Sequence, residues 1–473
     1  MKVQIIQPNS GIYLAARQTI KNLTSGGNTL ITATMLALIV ANVPALNPLY
    51  NSLWEYEVTL QIGEFNLFSH HGQPMNIMQF INDALMAIFF FSIGLEIKRE
   101  VLVGELSSIR KCMLSVLAAI GGMIVPVIIF SFLAKGSHYT GGAAIPMATD
   151  IAFSLGVLGL LGKRVPLSLK VFLTTLAVVD DIGGIIVIAI FYTETIEYTL
   201  LMYAAGFLLL LYLGMRMKIQ SKTYYILLGI AVWFLFLNSG IHPTIAGVLV
   251  AFCIPAVPVS NPRKYIKEIR KSISQFPVEE DNTDQKVQYV LSKDQMDLLH
   301  RVQDAGSKVI SPLQDLEESL HPLVNYIVLP LFAFSNAGIY IADMHLSDVY
   351  QGVSLAIICG LVIGKMLGIF LFSFIAIICR IAPMPHGSNW RMMASISMLG
   401  GIGFTVSLFI ANLSFGTMGT DEGAELLRHS KLGILVGSVL SGILGYLLLK
   451  WSLPKGGAAV YDDAHEEDSL VTD

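Results

Sequence analysis

Long apolar runs separated by short charged segments dominate the chain between residues 29 and 452. A helix needs about 20 apolar residues to cross the hydrocarbon core of a bilayer, and runs of this length recur throughout. The pattern therefore predicts an all-α polytopic membrane protein, with one domain of twelve transmembrane helices at residues 29–452. The predicted helices are 29–49, 77–96, 113–134, 143–162, 169–193, 199–215, 223–238, 242–257, 321–340, 353–380, 392–414 and 430–451.

Three stretches outside these runs are polar. Residues 1–28 lack the apolar core of a removable signal peptide, so we expect an N-terminal segment that stays in the cytoplasm. Residues 258–320 form a charged cytoplasmic loop, in which we expect a short surface helix and a flexible stretch. Residues 453–473 end in DDAHEEDSLVTD and are typical of a solvated acidic tail.

The stretch WEYEVTLQIGEFNLF, residues 54–68, alternates apolar and polar positions around Gly63. Such alternation predicts a small β-hairpin on the outer face, with an ordered loop as the alternative. The unpaired edge of a hairpin can pair with a second copy of the chain, which suggests a homodimer.

Composition and charge support a membrane protein. Only 14% of the 473 residues are charged, against about 25% in soluble domains. Cytoplasmic segments of membrane proteins are enriched in Lys and Arg. If the N-terminus is cytoplasmic, the only Lys and Arg residues on the outer side are Lys135, Arg428 and Lys431. Because the number of predicted spans is even, the C-terminus is then also cytoplasmic. We expect membrane lipid, and no nucleic acid, as a partner.

The run VFLTTLAVVDDIGGIIVIAIFYT, residues 171–193, carries two adjacent acids, Asp180 and Asp181, near its middle. Its apolar residues favour insertion by roughly 6 kcal/mol, and two central aspartates oppose it by roughly 6 kcal/mol. The segment alone would insert marginally, so the two acids should face other helices rather than lipid.

Four ionisable residues lie inside the predicted spans: Asp150, Asp180, Asp181 and Lys365. Such residues usually pair with one another or line an ion path. A buried ion pair that only fixes helix packing is the alternative, but three acids against one lysine leave an excess of carboxylate oxygen. Carboxylates bind hard cations such as Na⁺ and also take up protons when buried. The set therefore suggests one site at which a metal cation and protons compete.

Two predicted spans contain helix breakers. Pro146 precedes Asp150 in PMATDIAFSLG, and the stretch SMLGGIGFTVSLF at 397–409 contains three glycines. Interrupted helices in separate halves of a transporter suggest a crossing at the membrane midplane. Asp150 and Lys365 have the right signs to compensate the dipoles of the half-helices there.

Six motifs resemble the NhaA sodium/proton antiporters of bacteria: ATDIAFSLG, LAVVDDIGG, GLEIKRE, LHPLVNYIVLPLFAFSNAG, the GK of IGKMLGI, and GGIGFTVSLFIA. They run in the expected order from Asp83 to about Asn412. The resemblance implies inverted-topology repeats, formed by spans three to five and ten to twelve. It also implies electrogenic exchange of one Na⁺ or Li⁺ for two H⁺ in the bacterial cytoplasmic (inner) membrane. Activation at alkaline pH and a role in pH and sodium homeostasis are further implications. The chain would be a transporter with no cofactor and no enzyme activity.

The resemblance also implies roles for individual residues. Asp181 is the principal cation and proton site and Asp180 its partner, which pairs with Lys365 when no ion is bound. Thr149 and Asp150 lie at the crossing. The pH response of the family falls on Glu96, Arg99, Glu100 and Glu317. Apart from the resemblance, His242 and His321 flank predicted spans and are candidates for the pH response, because histidine ordinarily titrates near neutrality. Asp83, at the start of the second span, is a candidate for lining an ion pathway. Interfacial anchoring is the alternative for these charged residues.

The chain departs from the family pattern at two places. Met366 follows Lys365 where the family has proline, so the helix geometry there can differ, and the 258–320 loop is longer than usual. Another sodium-coupled secondary transporter on a related fold is an alternative function. An intramembrane aspartyl protease is a second alternative, but its GxGD motif does not occur in the sequence.

Overall fold

The computed structural model describes residues 26–453 except 64, 71, 136, 138, 194–195, 258–261, 277–290 and 341–345. The acidic tail, nearly all of the N-terminal segment and part of the 258–320 loop therefore lie outside the described residues. Helices dominate the described part, and we number them in chain order. They are α1 (Gly26–Asn42), α2 (Asn47–Leu53), α3 (Ile77–Val103), α4 (Ile109–Leu133), α5 (Ile151–Leu161), α6 (Leu167–Phe191), α7 (Tyr198–Arg216), α8 (Lys222–Leu237), α9 (Pro243–Phe252), α10 (Pro262–Ser274), α11 (Lys293–Val309), α12 (Pro312–Leu323), α13 (Leu329–Asn336), α14 (Gly352–Ile378), α15 (Trp390–Leu399), α16 (Phe404–Phe415) and α17 (Asp421–Ser452).

Seven helices in the described part are long and apolar enough to cross a membrane, and the number is nine if each of two bent pairs counts as one span. One bent pair is α1 with α2, which meet at 118°. Pro44 and Pro48 lie at this bend, where proline removes backbone donors and ends a helix. Helices α8 and α9 are apolar but shorter, with 16 and 10 residues. The fold is thus a helical membrane protein, and the count of twelve spans stays a prediction.

In the part of the chain that the structure describes, three helical stretches contain a π-helical turn, which accommodates one extra residue. The turns are Phe80–Leu85 within α3, Val324–Val328 between α12 and α13, and Gly360–Gly364 within α14. Such turns often occur at functional sites. The third turn ends immediately before Lys365. The helix is therefore irregular two residues before Met366, where the sequence departs from the family pattern.

The stretch between α2 and α3 forms short antiparallel strands. Strand β1 (Glu57–Val58) pairs with β5 (Gln73–Asn76), which also pairs with β4 (Ser69–His70). Strands β2 (Gln61–Ile62) and β3 (Phe65–Asn66) form a hairpin whose turn includes Gly63 at φ 64°. A positive φ suits glycine. The position of these strands on the outer face stays a prediction.

Two apolar segments are interrupted where the sequence has its helix breakers. Residues Thr140–Met147 form a 3₁₀ helix containing Pro146, the backbone is extended through Asp150, and α5 then begins. Helix α15 ends at Leu399, and α16 begins at Phe404 after three glycines within four residues, with a bend of 44° between them. Each segment is therefore two short helices, and the backbone groups between them can make hydrogen bonds outside the helices.

Helices α4 and α14 approach closely enough to exclude side chains. A Cβ on Gly368 would lie 2.1 Å from the carbonyl oxygen of Gly121, and a Cβ on Gly121 would lie 2.3 Å from that of Gly368. Small residues at helix interfaces allow such approach in membrane proteins. This contact fixes the part of α14 that carries Lys365.

Candidate functional site

Asp180 and Asp181 lie near the middle of α6, and their residues are only 2% and 6% exposed. Adjacent side chains on a helix point about 100° apart, and these two have different surroundings. Asp180 Oδ2 accepts a hydrogen bond from Lys365 Nζ at 2.6 Å. Asp181 instead lines a cavity.

Lys365 is fully buried and joins two elements of the site. Its Nζ donates to Asp180 and, at 2.9 Å, to the hydroxyl of Thr149. The other oxygen of Asp180, Oδ1, is buried and has no partner in the described part of the chain. Because an unpaired buried charge is costly, the lysine is the main compensation for this carboxylate.

Asp150 lies at the beginning of two half-helices. Its Oδ1 accepts from the backbone N–H of Phe153 at 3.0 Å, which caps α5. Its Oδ2 accepts from the backbone N–H of Thr405 at 3.1 Å and from the Thr405 hydroxyl at 2.7 Å, at the beginning of α16. A carboxylate is stabilised at helix N-termini by the free N–H groups and the dipole.

The two interrupted segments contact each other through their breaks. The backbone N–H of Asp150 donates to the carbonyl of Ile402 at 2.6 Å, and the Thr149 hydroxyl donates to that of Gly400 at 2.9 Å. Gly400 follows the last residue of α15, where carbonyl groups are free. Two successive hydrogen bonds through Thr149 therefore connect the ammonium group of Lys365 to the negative end of a half-helix.

A cavity of about 800 Å³ lies beside Asp181 and the two helix breaks, and we call it the Asp181 cavity. It reaches from the half-helix breaks to the region where α3 and α12 end. The polar residues in its lining include Glu96, Thr149, Asp150, Asp181, His321 and Thr405. Three carboxylates thus face one space, whereas Asp180 and Lys365 lie behind its wall.

Charged residues link α3 to α12 beside this cavity. Arg99 pairs with Glu100 at 3.1 Å and with Glu317 at 3.0 Å. His321 Nδ1 lies 2.7 Å from Asn325 Nδ2. Burial raises the pKa of Glu317 above its ordinary value, and nearby Glu96 raises it further, although Arg99 opposes both effects. The structure therefore brings five of the predicted pH-response residues together: Glu96, Arg99, Glu100, Glu317 and His321.

His242 and Asp83 lie elsewhere, in a second cavity of about 1130 Å³ that we call the Asp83 cavity. His242 Nε2 is 3.7 Å from Asp83 Oδ1, and His242 Nδ1 is 2.8 Å from the Thr244 hydroxyl. The structure does not bring His242 to the cluster around Arg99. The two residues are far apart in sequence, and a single sequence contains no signal that would pair them.

Sequence reasoning also missed four polar residues at or near the site. Thr405 donates twice to Asp150, and its position directly after the glycines of GGIGFT could have identified it as the start of a half-helix. Asn336 Nδ2 donates to Asn82 at 3.0 Å, and Asn412 Nδ2 donates to Asn336 at 2.7 Å. Asn82 and Asn412 line the Asp83 cavity, so this amide chain adds polar groups to it.

The site suits exchange of small cations rather than nucleophilic chemistry. Asp181 can accept either a hard cation or a proton, because a carboxylate binds both through the same oxygens. Asp180 is adjacent in sequence, and one of its oxygens has no partner among the described residues. Lys365 compensates the charge of Asp180, and the N-termini of α5 and α16 compensate that of Asp150.

Comparison with known proteins gives a consistent match over most of the chain. The model of a family described as Na⁺/H⁺ antiporter 1 matches residues 17–449. A protein named Na(+)/H(+) antiporter NhaA from Phocaeicola vulgatus is 51% identical over 454 residues, covering 96% of this chain and 98% of the relative. Proteins of the same name from Bacteroides fragilis and Helicobacter pylori are 52% and 42% identical, covering 92% and 94% of this chain and 97% and 98% of the relatives.

Proposed function

This chain belongs to the NhaA family of Na⁺/H⁺ antiporters, and from this premise we propose that it exchanges Na⁺ for H⁺ at Asp181. The observation that supports this site best is the position of Asp181. Its carboxylate lines a cavity with two other acids, whereas the adjacent Asp180 is held by Lys365 behind the cavity wall. Asp181 is therefore the acid of this pair that an entering ion meets first.

We propose that Na⁺ and protons compete for this pair of aspartates. When Na⁺ enters the Asp181 cavity, it displaces the proton on Asp181, and Asp180 can join as a second ligand through Oδ1, which has no partner among the described residues. Na⁺ bound to Asp180 weakens the hold of this carboxylate on the ammonium group of Lys365, which then releases the second proton. Exchange of one Na⁺ for two H⁺ would move one net charge per cycle and would be electrogenic. Li⁺ carries the same charge and prefers the same oxygen ligands, so we propose it as a second substrate.

The two interrupted helices would be the part of the protein that moves during transport. The negative end of α15 is linked to Lys365 through Thr149, and the positive ends of α5 and α16 meet Asp150. Each half-helix end thus has a compensating charge inside an apolar region. We propose that these breaks cross at the membrane midplane and rearrange as the site alternates between the two cavities.

Activation at alkaline pH would depend on the cluster around Arg99. Glu317 must be ionised to pair with Arg99, and its pKa is raised by burial. As the pH rises, the charged pair forms and joins α12 to α3 next to Glu96. We propose that this joining favours the ion-accepting form of the Asp181 cavity.

We also propose an orientation and an assembly. The chain would lie in a bacterial inner membrane, and the distribution of Lys and Arg favours both termini and the Asp181 cavity on the cytoplasmic side. The edge strands between α2 and α3 would face outward and pair with a second copy to form a homodimer. Membrane lipid would be the other partner.

Replacement of Asp181 by Asn tests the site directly. We expect Na⁺-dependent collapse of a pH gradient in everted vesicles to be lost, because the amide of asparagine does not titrate in this pH range and carries no charge. Asp348→Asn is a matched control, since Asp348 lies 3.9 Å from His429 and away from the Asp181 cavity. Full exchange by Asp181→Asn at the control's level of membrane insertion would contradict the proposal.

A further inference from the structure

Helices α10 and α11 pack against each other as a helical hairpin in the long charged loop. Lys308 Nζ lies 5.6 Å from the centre of the Tyr265 ring, so the end of α11 meets the beginning of α10. The two helices are therefore antiparallel. Helix α10 turns Ser272, which is buried, and Tyr265 and Ile269, which are partly buried, toward its partner.

The hairpin is tethered where the membrane-spanning part ends. It follows the apolar helix α9, and α12 begins directly after it. The backbone N–H of Leu313 donates to the carbonyl of Pro255 at 3.3 Å. This hydrogen bond holds the segment before α10 next to the segment after α11. This hydrogen bond and the two-residue connection from α11 to α12 keep the hairpin close to the end of the membrane-spanning part.

Helix α10 is strongly basic and also exposes apolar side chains. Its sequence PRKYIKEIRKSIS contains five Lys and Arg residues against one glutamate. Ile266 and Ile273 are 45% and 60% exposed. They are seven residues apart and therefore share one face, which lies beside Arg270 because successive residues turn by about 100°.

Helix α11 adds a matching pair. Met296 and Leu299, three residues apart on one face, are 40% and 42% exposed. The packed face of α11 carries Ala305, which is buried, and Leu298 and Val302, which are partly buried. Met296 and Leu299 lie about a quarter to a third of a turn from this face. Ile266 and Ile273 lie about a quarter turn from the packed face of α10 in the same rotational sense. In an antiparallel pair, equal rotations point to the same side. The four apolar side chains therefore form one surface, which we call the apolar side of the hairpin.

Charged residues lie beside this surface on both helices. On α10, Arg270 lies beside Ile273, and Glu268 falls on the flank away from the two isoleucines. On α11, Lys293 and His300 lie beside Met296, and Asp297 and Asp304 follow them on the same flank. The net positive charge beside the apolar side is therefore supplied by α10.

We propose that the apolar side of the hairpin docks on anionic phospholipids of the leaflet from which the hairpin emerges. Helices that lie on membranes insert apolar residues between headgroups while Lys and Arg bind the anionic phosphates. The tether at Pro255 holds the hairpin close to this surface. A protein partner or a second copy would satisfy the apolar residues but would not explain the excess of cations in α10. Lipid binding at this hairpin would be independent of ion exchange at Asp181.

Depth-dependent fluorescence quenching in nanodiscs tests this docking. A probe sensitive to its environment is attached to Ile273→Cys in the full chain, and Glu268→Cys, on the opposite flank of the same helix, is the matched control position. Discs contain phosphatidylcholine alone or with phosphatidylglycerol, and nitroxide-labelled lipid serves as the quencher. The background chain carries Ser at Cys112, Cys253, Cys359 and Cys379 and must retain Na⁺/H⁺ exchange.

We expect at least two-fold stronger quenching at position 273 in anionic than in neutral discs, and little at position 268. Arg270→Gln should lower the docked fraction by up to about five-fold, whereas Arg301→Gln, a change of equal charge away from the apolar side, should not. High salt should weaken docking, since it screens exposed charges. Equal and weak quenching at both positions in both lipids would overturn the proposal, as would protection of position 273 by a second copy, seen as cross-linking through Ile273→Cys.

Discussion

The ion pair between Lys365 and Asp180 gives a sharp prediction about stability. Both side chains are fully buried, and the Nζ–Oδ2 distance is 2.6 Å. Replacement of Lys365 by Met keeps most of the volume but leaves the Asp180 carboxylate without a cation. Removing one partner of a buried pair typically costs about 3–5 kcal/mol, because the remaining charge is uncompensated. We therefore expect Lys365→Met to unfold or aggregate at a clearly lower temperature than the parent.

The double variant Lys365→Met with Asp180→Asn separates charge from packing. Replacing both members of a buried pair with neutral groups is often close to neutral in stability, so the double variant should regain at least half of the loss. Thermal aggregation of the purified protein in detergent measures all three chains under one condition. Acidic buffer should reduce the deficit of the single variant, because a protonated Asp180 needs no cation. Equal losses in the single and double variants at every pH would refute the reasoning.

Two further predictions concern the α3–α12 cluster and the α4–α14 contact. Because burial raises the pKa of Glu317 above 4.5, the folded chain holds this proton more tightly than the unfolded chain, and stability falls as the pH rises from 4.5 toward the raised pKa. Glutamine does not ionise, so the stability of Glu317→Gln should not fall in this way. The stability of the variant relative to that of the parent should therefore increase as the pH rises through this window. A difference in stability that is independent of pH would contradict the assignment. Gly368→Ala should destabilise the chain by about 1–3 kcal/mol, because its Cβ would lie 2.1 Å from the Gly121 carbonyl oxygen. In the same thermal assay Gly206→Ala should be harmless, since a Cβ there meets nothing within 4 Å, and equal effects of the two substitutions would show that the close approach is unimportant.

The sequence predicts the interrupted helices and their charges well, because proline, glycine and intramembrane acids act locally. Pro146 and the glycines near 400 interrupt the helix wherever the rest of the chain lies. The ion pair between Asp180 and Lys365 could be expected since an intramembrane lysine needs an acidic partner, although the choice between the two aspartates came from the family resemblance.

Other features depend on packing between distant segments and were beyond single-sequence reasoning. The π-helical turn at Gly360–Gly364 has no local signature, because one extra residue is accommodated by the neighbouring helices. The pairing of His242 with Asp83 arises where two helices meet in the folded chain. The bend between α1 and α2 shortens the first predicted span, since the apolar run continues past the point at which the helix ends.

Calorimetric titration of the purified protein with Na⁺ at several pH values tests the central claim most directly. If Na⁺ and protons compete for Asp180 and Asp181, the apparent Kd for Na⁺ should rise as the pH falls, by up to about ten-fold per pH unit for each proton displaced. Buffers of different ionisation enthalpy should report proton release that accompanies binding, and Asp181→Asn should abolish it. An affinity for Na⁺ that is independent of pH, with no release of protons, would contradict the account.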